Sequence, residues 1–242
     1  MKCGLIGSGN VAHALGQHWA GQIGWHAHWN RSETPIFPDV PFSRDAKDWD
    51  VAVLAVADDA LEDVSAALPE RVLRVHLSGA KPLRSVLHGR ARGAVIWPVC
   101  SIRKERMPDW NTVHWAVEAS DDEALAWALD AVRQLGGTPH AMSEDQRLRA
   151  HVAAVFAANF SNLMLAEASD LIRPTGLPWA AVHALAEGVM ARAATEAGAQ
   201  LITGPAARGD EATLSAHRQL LSEQSDLQPL YEVLTQRIQH RS

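Results

Sequence analysis

The stretch that decides the fold is Gly7-Ser8-Gly9-Asn10-Val11-Ala12. It follows a short apolar run, Met1 to Ile6, that reads as a strand, and it opens a helical pattern through Ala14, Leu15 and Trp19. The spacing fits G-x-G-x-x-G/A, the strand-to-helix turn that cradles a dinucleotide pyrophosphate. Gly7 permits the tight turn, Gly9 lets the backbone approach the anion, and Ala12 lets the helix lie close to the sheet. The anion would rest on the open N–H groups and positive dipole end of that helix, among Gly7, Ser8, Gly9, Asn10 and Val11. An ordinary strand-to-helix turn can carry the same letters, so the surrounding chain has to decide.

Downstream, Gly24 to Trp29 reads as a second strand ending in Asn30-Arg31-Ser32. This is about 20 residues beyond the glycine turn, where an NAD enzyme places an acid on the ribose 2′-hydroxyl. No acid stands there. Arg31 can instead pair with a 2′-phosphate, with Asn30 and Ser32 donating hydrogen bonds, so the expected cofactor is NADP; the alternative is a solvated loop cation. His26 and His28 alternate onto one strand face but lack a third ligand, and no metal site is expected. Glu33 to Asp48 holds three prolines and reads as irregular.

Val51 to Val56 is a continuous apolar run, the pattern of a central parallel strand, and Ala57 follows at its carboxyl end as a cofactor-lining position. Asp58 and Asp59 stand next, read as helix caps in preference to an acid/base pair. Val72 to Leu77 leads to Ser78-Gly79, which puts Ser78 beside the expected nicotinamide site. Ala94 to Trp97 and Val113 to Glu118 are further strands, Asp121 to Leu135 a helix stopped by Gly136-Gly137, and Thr138 to Met142 an edge strand. Strands alternating with helices imply an α/β, doubly wound Rossmann sheet.

From Ser143 the period changes. Ser143-Glu144-Asp145-Gln146 is a capping box, and no proline or glycine interrupts the chain before Pro174. The expected helix has about 30 residues and a length of about 45 Å. Helical stretches follow at Pro178 to Ala197, Glu211 to Ser222 and Leu227 to Arg241. The sequence thus predicts a Rossmann domain over residues 1–143 and an all-α domain over 144–242. On the long helix, His151, Asn159 and Asn162 fall within about 80° of one another at 100° per residue. That polar stripe is either a helix–helix hydrogen-bond network or part of a site. Thr203 to Asp210 forms a Gly-Pro loop that can present Arg208 to an anion, or a surface turn capped by Asp210.

Composition excludes other classes. With 22 Lys and Arg against 28 Asp and Glu, the chain has no basic footprint for nucleic acid. No consecutive run of about 18 apolar residues suggests a membrane span, and the N-terminus reads as fold instead of leader. Two cysteines, Cys3 and Cys100, suit a reducing compartment, so a cytoplasmic protein is expected, with Cys3 a buried hydrophobe.

GSGNVAHAL at Gly7, VHLSG at Val75, HVAAVFAANFSN at His151 and TGPAARGD at Thr203, followed by His217, together resemble the Rossmann-like proteins that carry domain of unknown function 2520. These are relatives of deazaflavin-dependent NADP oxidoreductases, pyrroline-5-carboxylate reductases and the 6-phosphogluconate dehydrogenase superfamily. The resemblance implies an NADP-binding domain, a helical domain for substrate and dimerisation, and a homodimer. It also implies His151 as proton donor and Asn159 as orienter of the reacting group. The superfamily's usual lysine is absent; Arg147 and Arg149 are near but are poor acids at neutral pH. Trp97-Pro98 stands where relatives often have His-Pro or Tyr-Pro. The expected function is an NADP-dependent oxidoreductase acting on a small C=O or C=N compound of the 2-oxo acid or cyclic imino acid class, with Trp97, Asn162 and Arg208 toward substrate. The alternative is a catalytically silent NADP-binding sensor or regulator.

Overall fold

Among the described residues the chain forms seven strands, and their order creates a crevice. A computed structural model describes residues 1–19, 24–89, 91–103, 106–195, 201–223 and 226–241. By internal contacts it divides into two units, Met1–Phe160 and Ser161–Ser242. In the first unit the elements run β1 (Cys3–Ile6), α1 (Asn10–Trp19), β2 (Trp25–Trp29), β3 (Val51–Leu54), α2 (Leu61–Ala66), β4 (Leu73–His76), β5 (Gly93–Pro98), β6 (His114–Ala119), α3 (Asp122–Gln134), β7 (Thr138–Ala141) and α4 (Glu144–Ala154). The sheet order is β2-β1-β3-β4-β5-β6-β7. All neighbours are parallel except β5 and β6, which pair antiparallel through Trp97 and Ala116.

The inner strands β1, β3 and β4 are buried on both faces, whereas the edge strand β7 is largely exposed. Leu5, Val53, Val75 and Ile96 pack with Leu15 and Trp19 of α1 and Ala128 and Val132 of α3. Ile6, Leu54 and Val95, one residue out of phase, pack on the other face with Leu61 of α2 and with Leu83 and Val86. Cys3 is 2% exposed, and burial pushes its thiol up to about 11, so it packs as a neutral hydrophobe. From β1 the chain moves to β2 on one side and to β3 on the other, so a crevice opens outside the carboxyl ends of the strands at this reversal.

The Ser143 capping box forms as its letters predict: Ser143 Oγ accepts from Gln146 N at 3.3 Å and Gln146 Oε1 from Ser143 N at 2.9 Å. The helix it starts runs from Glu144 to Thr175. The unit boundary falls inside that helix, at Phe160/Ser161, and not at Ser143, because the first turns of α4 are tied to the sheet by Arg147. A π-helical turn at Val155–Phe160 also interrupts it. The uniform 100° phase that grouped His151, Asn159 and Asn162 therefore does not hold across the segment, since the π turn advances the backbone at a different angle per residue.

The helix has a second property that counting consecutive apolar residues misses. An 18-residue window within it averages a mean hydropathy of 1.2, long and apolar enough to cross a membrane by length and composition, and none of that window is buried in this chain.

The second unit comprises α5 (Ser161–Ile172), α6 (Trp179–Ala193), α7 (Pro205–Arg208), α8 (Glu211–Leu221) and α9 (Leu227–Gln239). The last residues of the helix expected to reach Ala197 lie outside the described residues. Asp210 caps α8, accepting from Thr213 N at 3.1 Å. Arg218 ties α8 to α9 through Glu232 at 2.8 Å. Arg208 is exposed at the end of α7, which Gly209 closes in the left-handed conformation (φ 67°).

Candidate active site in the N-terminal unit

A cavity of about 750 Å³ occupies the crevice, within the range of small-molecule and cofactor sites. Its lining includes Gly7, Ser8, Gly9, Asn10 and Val11 at the start of α1, Asn30 and Arg31 after β2, and Ala57 and Ser78 after β3 and β4. The sequence-predicted cofactor residues are thus brought together, apart from Ser32, which is not in the lining. The two glycines do different work. A Cβ on Gly7 would lie 2.1 Å from Ala55 O, and its φ of +137° is a glycine conformation. Gly7 N donates to Trp29 O at 2.9 Å, which joins the turn to β2. A Cβ on Gly9 would meet nothing within 4 Å, so no packing in the chain calls for a bare backbone there, and it faces the cavity. With the unbonded N–H groups of the first turn of α1, this surface fits a pyrophosphate.

The turn after β2 corrects one expectation. Asn30 is 1% exposed, donates through Nδ2 to Thr34 O at 2.7 Å, and accepts on Oδ1 from Ser32 Oγ at 2.7 Å and Thr34 N at 3.3 Å. The Ser32 hydroxyl proton and one Nδ2–H of Asn30 are engaged in holding the turn, so the Ser32 hydroxyl is not a donor to a phosphate in this arrangement. Arg31 is exposed, and no ion pair involves it among the described residues. Of the two histidines of β2, His26 is exposed, and His28 is buried and accepts from Ile36 N at 3.1 Å.

The aspartates after β3 are also corrected. Neither caps a helix through its side chain. Asp58 Oδ2 instead accepts from Ser78 Oγ at 2.9 Å, while that oxygen accepts from Ala80 N and Lys81 N. Ser78 is thereby fixed, and it is the Asp58 carboxylate that offers an open acceptor on the wall. A long-range side-chain bond outcompetes the local cap.

Arg147 organises the other end. Fully buried, it donates through Nε and Nη2 to Glu118 Oε2 at 3.0 and 2.9 Å, and through Nη1 to Ser78 O at 3.3 Å and Gly79 O at 2.8 Å. One helical turn on, on the same face of α4, His151 meets Trp97 with ring centroids 5.2 Å apart. Gly79 makes room for both rings: a Cβ there would lie 2.4 Å from His151 Cδ2 and 2.6 Å from Trp97 Cε2. His151, Trp97 and Gly79 form a cluster next to Ser78 in the chain, and Arg147 holds it. Asn159 is exposed in the π turn, and Asn162 and Arg208 belong to the second unit.

His76 lies beneath this cluster at the end of β4. Its Nδ1 accepts from Ser78 N at 3.3 Å, and its Nε2 has no partner among the described residues. Burial, reinforced by the Arg147 charge, pushes its pKa down to about 4. In the unfolded chain it protonates near 6.5, so the unfolded state takes up the proton first as pH falls. Stability from this group is complete above about pH 6.5 and is lost on descending to about pH 4, by at most about 3 kcal/mol at about 1.4 kcal/mol per pKa unit. Urea unfolding between these pH values should show the loss in the wild type and a flatter profile in His76→Leu; parallel profiles would contradict this account.

The model of the family described as a domain of unknown function (DUF2520) matches residues 113–238. The chain belongs to the DUF2520 family. No curated protein sequence matches it. Among solved structures, a Bacteroides fragilis protein described as an NADP oxidoreductase shares 24% identity at a TM-score of 0.84, covering 99% of this chain and 98% of its own. A Thermotoga maritima protein shares 18% identity at a TM-score of 0.74, covering 99% and 97%. The Plasmodium falciparum pyrroline carboxylate reductase with NADP bound shares 14% identity at a TM-score of 0.61, covering 100% and 98%. At these identities the likeness places this DUF2520 protein in their fold.

Proposed function

We propose that the protein binds NADPH in the crevice and is an NADP-dependent oxidoreductase acting on a small C=O or C=N compound. The observation that carries this reading is the bare Gly9 backbone facing an open cavity at the start of α1, with Arg31 at the end of β2. When bound, the dinucleotide supplies a hydride to the electrophilic carbon. The chain's residues do the rest: the α1 N-terminus holds the pyrophosphate, Arg31 pairs with the 2′-phosphate, and Asp58 accepts a hydrogen bond from the ligand. His151, as imidazolium, donates its proton to the oxygen or nitrogen that gains charge and is left neutral; such a step is worth about 10²–10⁴-fold. Asn159 is the proposed orienter. The proposed substrate class is a 2-oxo acid or cyclic imino acid, with Arg208 the proposed partner of its carboxylate. A second copy of the chain is the proposed cover for exposed Val152 and Phe160 of the first unit and Leu185 and Met190 of the second. Sedimentation as a monomer would remove that last reading, and partition into detergent or vesicles would point to a membrane.

The test is NADPH oxidation against a panel of 2-oxo acids and cyclic imines. Turnover is expected, and His151→Ala should lower kcat by at least about tenfold with NADPH affinity unchanged. Nucleotide binding without turnover on any compound would favour the silent sensor. Full turnover in the variant would take the proton-donor role from His151.

A further inference from the structure

The turn after β2 leaves a 2′-phosphate short of positive charge. A phosphate monoester carries about −1.5 to −2 at neutral pH, and of the predicted residues Asn30, Arg31 and Ser32 only Arg31 brings a positive charge. A second guanidinium stands over Trp29, outside the cavity lining itself, through a connection that sequence reasoning reads only as irregular. After β2 the chain returns alongside the strand: His28 N donates to Pro41 O at 2.8 Å, Ser43 N donates to His28 O at 3.1 Å, and Phe42 bridges His28. That return carries Arg44 to the carboxyl end of β2, where its guanidinium carbon lies 5.0 Å from the centroid of the Trp29 ring. Trp29 itself lines the cavity next to Asn30 and Arg31. Arg44 is exposed, and no ion pair involves it among the described residues. Its neighbour Asp45 is turned away, accepting from Lys47 N at 3.0 Å and facing Lys47 Nζ at 3.9 Å.

We infer that Arg44, held over Trp29, is a second 2′-phosphate-binding residue and, with Arg31, sets the preference for a 2′-phosphorylated dinucleotide; the inference rests on the NADPH reading above. The indole face fixes the orientation of an otherwise rotatable guanidinium, which lowers the entropy lost when it closes on the phosphate. An NADH molecule offers a ribose hydroxyl at that point and gains little from either arginine.

The experiment titrates the full chain with NADPH and with NADH, as wild type, Arg44→Ala and Arg44→Lys. Arg44→Ala should weaken NADPH binding at least about tenfold and leave NADH within about threefold, with an unchanged melting temperature. Arg44→Lys should recover part of the loss, as a point charge without the planar fork. NADPH affinity within about threefold of wild type in Arg44→Ala would overturn the inference, because an arginine on the phosphate is worth more than that. Equal weakening of NADPH and NADH would also overturn it, assigning Arg44 to the support of Trp29. A wild-type protein that binds neither nucleotide, or prefers NADH, would bring down the NADPH reading itself and this inference with it.

Discussion

Arg147→Ala should destabilise the N-terminal unit by about 3–5 kcal/mol, the usual cost of breaking a buried ion pair by removing one partner. The arginine is fully buried and Glu118 is 15% exposed, so the remaining carboxylate keeps little water to replace two charge-assisted bonds. The carbonyls of Ser78 and Gly79 lose their donor at the same time. Urea unfolding measures the effect directly, and a loss under about 1 kcal/mol would show that the pair contributes no more than a surface salt bridge. The double variant Arg147→Met with Glu118→Leu should recover much of the loss, because it leaves no buried charge alone. Through Gly79 and α4 the same network places His151, so on the proposed function Arg147 is a positioning residue for the proton donor. Arg147→Lys should lower kcat more than it raises KM, since a point charge cannot span Glu118 and two carbonyls together.

The second large effect separates the two glycines of the first turn. Gly7→Ala should destabilise the fold by about 3 kcal/mol or more, through a strained backbone and an overpacked contact with Ala55 O. Gly9→Ala should leave the unfolding midpoint within about 0.5 kcal/mol, since its Cβ meets open space. Yet on the proposed function it should weaken NADPH binding by at least about tenfold, because the methyl group would stand where the proposed pyrophosphate comes to the backbone. Parallel titrations and melts of both variants check this. If Gly9→Ala binds NADPH as the wild type does, the turn is an ordinary strand-to-helix connection.

What was legible in the sequence was local. The Gly7–Ala12 turn, the Val51 run and the Ser143 capping box each draw on residues within a few positions of one another, and each formed in place. The doubly wound sheet was also legible from the alternation of strands and helices, and the observed order reverses at β1, where the cavity and the motif meet. What was hidden depended on competition between partners. Asn30 and Ser32 have the right chemistry for a phosphate, but Thr34 claims one and the two claim each other. Asp58 could have capped a helix, and Ser78, 20 residues away, takes its oxygen instead. Arg147 and Glu118 are 29 residues apart on different elements, so no local pattern joins them. The π turn at Val155–Phe160 has no letter pattern that the 3.6-residue period could have exposed. Arg44 was hidden for a further reason: its place over Trp29 depends on the backbone bonds of an irregular return.

The measurement that tests the central claim most directly is a calorimetric titration of the wild-type protein with NADPH and, separately, NADH, beside Arg31→Ala. One NADPH per chain, bound more tightly than NADH, with that preference reduced at least about tenfold in the variant, is the predicted result. Folded protein that takes up neither nucleotide would contradict the account and leave the crevice as inherited architecture.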